Sequence, residues 1–155
     1  MELNGVPLHP LVVHAAVVFV PLAALAAIVF VVPRWRGAVR SPAVVLAVLA
    51  ALAVQAATLT GENLEETRGP RSALIHEHSE YADKLQVLMY VLAVVMVVAF
   101  VVMPVVSRAA GGRDRAAKVA VLEKPLMVLI PLLALGALVL VYLTGDAGAR
   151  SVWGG

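Results

Sequence analysis

VLAVVMVVAFVVM, residues 91–103, decides the fold. In water, a run this rich in valine reads as a buried strand, because β-branched side chains favour extended backbone. Here it lies inside a longer apolar block, residues 85–107, and similar blocks occupy residues 10–32, 43–60 and 126–144. About 20 apolar residues are enough to cross a bilayer as a helix. Lipid offers the backbone no hydrogen-bond partner, so each segment must close its own bonds, and β-propensity is overridden. A transmembrane barrel would need polar and apolar residues to alternate, and these blocks do not. The fold class is therefore all-α: a polytopic membrane protein, a four-transmembrane-helix bundle, forming a single domain over residues 1–155.

Composition agrees. The chain is 62% hydrophobic, with a mean hydropathy of +0.96, against about 45–50% apolar residues in a soluble domain. There is no cysteine, which removes disulfides, thiolate metal sites and cysteine nucleophiles. The N-terminus does not read as a cleaved signal. Glu2 is the only charge before Arg34, whereas a signal begins with a positive region and a short apolar core.

Lysine and arginine set the expected orientation. Inner loop 33–42 carries Arg34, Arg36 and Arg40, and inner loop 108–125 carries Arg108, Arg113, Arg115, Lys118 and Lys124. Loop 61–84 holds six acids, Glu62, Glu65, Glu66, Glu77, Glu80 and Asp83, against Arg68, Arg71 and Lys84. The basic loops are expected in the cytoplasm, with the acidic loop and both termini extracytoplasmic. The expected location is the cytoplasmic (inner) membrane. With a net charge of only +2, nothing points to nucleic acid.

Pro21, Pro104 and Pro131 fall inside spans, where each removes one backbone hydrogen bond. Pro10 and Pro125 fall near helix starts, where proline is tolerated. Ala43, Ala47, Ala50 and Ala57 place small residues on or near one face of the second span, which suits either close helix packing or simple filler. LTGE (59–62) and LTGD (143–146) hint at two repeated hairpins. Their glycines suit the C′ position of a helix end.

All four histidines fall on the expected outer side. Residues 72–84, SALIHEHSEYADK, read as a helical extension of span three. On it His78 shares a stripe with Leu74, Tyr81 and Leu85, which predicts an inward imidazole, while His76 shares one with Glu80 and Asp83. His14 lies about one turn inside span one, and His9 just before Pro10. His14 and His78 are thus expected at one depth on two helices. Two such imidazoles suit the axial positions of haem b. They also suit two ligands of a zinc or copper ion, completed by His76, Glu62, Glu65 or Glu80. The alternative is no cofactor, each histidine being satisfied by water or a carbonyl.

PLHPLVVHAAVVFVPLA (7–23) resembles the opening of a bacterial membrane family, domain of unknown function 2231: Leu-His-Pro, apolar residues, histidine, then a helix carrying proline. LTGDAGARSVWG (143–154) is similar to the glycine-rich end of the same family. The resemblance implies four spans and a membrane location, with a histidine near the start of span three, where His76 or His78 stands. An aromatic often follows the second histidine in that family, where this chain has Ala15. The family brings no settled biochemical activity.

No enzyme motif occurs. HEHSE (76–80) lacks the spacing of a zincin helix. Two functional classes remain in front. One is a haem- or metal-binding redox module with its site at the outer face, working with a membrane redox partner. The other is a cofactor-free structural or interaction subunit of a membrane complex, or a homodimer. A transporter is a third class, and Gln55 and His14 are thin material for a polar path. Trp35, Tyr142 and Trp153 read as interface anchors.

Overall fold

The computed structural model describes residues 2–3, 6–68, 73–103 and 113–153, with side chains described for 9–63, 73–103 and 121–153. Four helices carry the fold: α1 (Leu8–Phe30), α2 (Pro33–Arg68), α3 (Ala73–Val102) and α4 (Arg113–Trp153). Before them, β1 (Glu2–Leu3) pairs antiparallel with β2 (Val6–Pro7). All four helices are long and apolar enough to cross a membrane.

The helices exceed the expected spans. At 1.5 Å per residue, α2 is about 54 Å long and α4 about 62 Å, against a hydrocarbon core of about 30 Å. The basic segment expected as a loop at 33–42 is instead the first turns of α2. Proline suits the first helical position, and it pushes Val32 before it out of helical backbone. That gives a corner of two residues, with Trp35 and Arg36 N–H both bonded to the Val32 carbonyl at 3.0 Å. The acidic segment 61–84 is helical over 61–68 and 73–84, and α4 starts at Arg113, inside the segment expected as loop 108–125.

Pro21 and Pro131 are inside helices, as expected, and so are Pro42 and Pro125. Pro125 lies twelve residues into α4 because that helix begins so early. Helix α3 ends at Val102, before Pro104, which lies outside the described residues. Gly61 and Gly145 are not C′ caps. Both lie within helices that run on to Arg68 and Trp153.

The helices pack in a ring: α1 on α2, α2 on α3, α3 on α4, and α4 back on α1. The buried face of α1 is Ala16, Val20, Ala23, Ala27 and Phe30, and that of α3 is Leu85, Met89, Leu92, Met96 and Ala99. Each α3 residue stands 69 positions after its α1 counterpart. Likewise Ala43, Ala47 and Ala50 of α2 and Ile130, Ala134 and Ala137 of α4 are buried, 87 positions apart pair by pair. The chain is two hairpins with one packing register. Small residues let α1 and α2 approach closely, which settles the filler question for Ala43, Ala47 and Ala50, while the leucines and methionines of α3 fill the centre. Outward positions such as Leu11, Val18, Leu25, Val94 and Leu132 are apolar and exposed, as a lipid-facing surface requires.

Candidate functional site

Extending each buried face back by seven residues, two helical turns, reaches a polar side chain. From Ala16 it reaches His9, and from Leu85 it reaches His78. Both rings are half-buried. His9 Nδ1 lies 3.0 Å from the Ala57 carbonyl and 3.3 Å from Thr60 Oγ1 on α2. His78 Nδ1 lies 2.8 Å from the Thr144 carbonyl on α4. A carbonyl only accepts, so the imidazole N–H is the donor and sits on Nδ1.

Each ring rests on a glycine of the same neighbouring helix. A Cβ at Gly61 would lie 3.0 Å from His9 Cε1, and one at Gly148 would lie 3.0 Å from His78 Cε1 and Nδ1. Carbonyl and glycine are four residues apart in both cases, Ala57 with Gly61 and Thr144 with Gly148, and the pairs are again offset by 87. The two hairpins therefore close at one end with the same latch. The TG similarity of LTGE and LTGD is offset by 84, so it is about one turn out of the register that packing uses. Gly145, the glycine it pairs with Gly61, would meet nothing within 4 Å.

His14 does not face inward. It is exposed, and its Nδ1 lies 2.5 Å from the Pro10 carbonyl of its own helix. The face it shares with Leu11, Val18, Leu22 and Leu25 is the exposed one. His14 and His78 thus lie on different kinds of surface, one outward and one turned to α4. His76 is 64% exposed and lies 3.4 Å from Glu80, which also pairs with Lys84 at 3.1 Å. These are i, i+4 contacts along α3 rather than a converging set. Glu62 is exposed, and the Glu65 side chain lies outside the described residues. Among the described residues, no three His, Asp or Glu side chains converge to hold a metal ion.

Two further contacts join helices near this end. Arg150 reaches Glu77 across α4 and α3 at 3.4 Å and Asp146 at 2.9 Å. Gln86 donates to Gln55 at 2.5 Å, with Tyr90 hydroxyl also donating to Gln55, tying α3 to α2.

The opposite end holds what the sequence reading missed. Extending the buried face of α2 back by seven from Ala43 and Ala47 reaches Arg36 and Arg40. Arg36 is only 3% exposed. Its Nη1 donates to Glu123 at 2.8 Å and its Nε to the Phe30 carbonyl at 3.3 Å. Arg40 donates to the Phe100 carbonyl and stacks over the Phe100 ring at 4.2 Å. Treating both arginines as loop charges hid them, although the alanine periodicity pointed at them.

No curated protein and no solved structure matches the chain. One family, described as predicted membrane proteins, has a profile that matches residues 5–155, in keeping with the four apolar spans and the outward apolar surface. The chain belongs to that family, DUF2231.

Proposed function

We propose that this chain works as a structural or interaction subunit within a membrane assembly, its two hairpins latched by His9 and His78. One observation carries this reading: every histidine is engaged by the chain's own groups, and the two inward ones bind the next helix. His9 and His78 meet carbonyls of α2 and α4, His14 meets its own helix, and His76 meets Glu80. Hydrogen bonds between helices in lipid hold a packing arrangement at a modest gain each. On the orientation read from lysine and arginine, the latched end faces out and the arginine end faces the cytoplasm of the inner membrane.

A second reading keeps the redox module and moves its ligands. An imidazole whose Nδ1–H is bonded to a carbonyl carries its lone pair on Nε2, the usual arrangement of a haem or metal ligand. His9 and His78 share that arrangement, so they replace the pair His14 and His78. Two imidazoles match the axial set of haem b. A zinc or copper ion wants three or four protein ligands, so this donor set suits it less.

Purified protein, loaded with hemin and separately with zinc or copper, distinguishes the two. The structural reading predicts no b-type absorbance, no stoichiometric metal, and a loss of thermal stability in His9→Ala and His78→Ala. A haem spectrum that His9→Ala and His78→Ala abolish and His14→Ala spares would replace it with the redox reading.

A further inference from the structure

The charge at the arginine end is not closed by the described residues. Among the described residues, buried Arg36 Nη2 has no hydrogen-bond partner, and the same holds for Arg40 Nε. Arg36 meets one carboxylate there, Glu123, which is one-third exposed, while Arg40 meets the Phe100 carbonyl and ring. A buried lysine or histidine would relieve such an imbalance by losing its proton. Arginine cannot, because it stays charged at all physiological pH. The missing piece is a negatively charged acceptor with several oxygens.

Phosphate fits that description, since the planar guanidinium fork matches its oxygens. The location narrows the source. Arg36 and Arg40 lie in the first two turns of α2, next to exposed Trp35, over whose ring Arg34 stacks at 4.5 Å. Tryptophan and arginine together mark the headgroup level of a bilayer, and basic pockets between membrane helices take up lipid headgroups.

We infer that Arg36 and Arg40 form a binding site for a phosphate oxyanion, carried by an anionic phospholipid headgroup or present as free phosphate. Arg36 Nη2 and Arg40 Nε are the donors. Glu123 is the carboxylate with which the anion competes for Arg36. The inference stands apart from the histidine reading and does not depend on it.

The test titrates the detergent-solubilised full chain with phosphatidylglycerol, phosphatidylcholine and inorganic phosphate, reading retained adducts by native mass spectrometry. Phosphatidylglycerol should be retained, and Arg36→Gln or Arg40→Gln should weaken it about tenfold, the loss of one charge-assisted hydrogen bond. Glu123→Gln should tighten binding severalfold, because it removes the competing charge. A purely structural Arg36–Glu123 pair predicts no such tightening. Retention of phosphatidylglycerol that millimolar phosphate does not displace assigns the lipid, and displacement assigns the free oxyanion. If Arg36→Gln fails to fold, Arg40→Gln and Glu123→Gln decide, since both positions are only partly buried. No retention of any probe, or weaker binding in Glu123→Gln, overturns the inference.

Discussion

The two ends of the bundle solve the same problem differently. At the histidine end, imidazole N–H groups meet main-chain carbonyls, and each ring is seated on a glycine of the next helix. At the arginine end, fixed charges enter the interior, and two of their N–H groups have no partner among the described residues. A neutral hydrogen bond in a membrane bundle adds little but costs little. A buried charge costs much more unless fully paired. The difference teaches where to look for each role. The satisfied end reads as a fastener, and the unsatisfied end as a place where something else binds.

The largest effect should come from the arginine end. Glu123→Ala strands the Arg36 guanidinium and should cost about 2–3 kcal/mol in zwitterionic detergent, below the full loss for a wholly buried pair because Glu123 is partly exposed. Added phosphatidylglycerol should restore part of it. An unchanged melting temperature would mean that the pair contributes nothing and that the ends do not differ as described.

At the histidine end, Gly148→Ala and Gly61→Ala should each cost about 1–2 kcal/mol, because the new methyl displaces a ring held by its own hydrogen bond. His78→Ala and His9→Ala should each cost about 1 kcal/mol, one interhelical hydrogen bond with its packing. Equal losses in the two hairpins sharpen the equivalence, and a loss in only one breaks it. Gly145→Ala, three residues before Gly148, should go the other way by about 0.5–1 kcal/mol, since alanine favours a helix interior more than glycine does and nothing crowds it. Thermal unfolding with a helicity readout measures all of these.

Much of the fold was legible because lipid imposes simple rules on length and hydropathy. The four blocks, the inward stripe of span three with His78, and the alanine face of span two all read from the chain directly. Element ends were less legible. Hydropathy reports where apolar residues stop, whereas helices continue through polar residues such as Arg36 and Glu62. The rotation of His14 was not legible for a related reason. His14 sits deeper in the apolar run than His9, and depth suggests an inward ring. Depth says nothing about rotation around the helix axis. Rotation is carried by the small-residue stripe Ala16, Ala23, Ala27, and that stripe leads back to His9. The same extrapolation finds His78, Arg36 and Arg40. The repeat was visible in sequence only as four similar residues one turn out of register, because the two hairpins share packing positions rather than residue identities.

The central claim is that His9 and His78 are equivalent inward latches and that His14 is an outward bystander. Thermal unfolding of His9→Ala, His78→Ala and His14→Ala, side by side in one detergent, tests it most directly. Similar losses of about 1 kcal/mol for His9→Ala and His78→Ala, with His14→Ala within about 0.5 kcal/mol of wild type, are expected. A His14→Ala loss as large as that of His78→Ala, or an unmoved His9→Ala, would contradict the account.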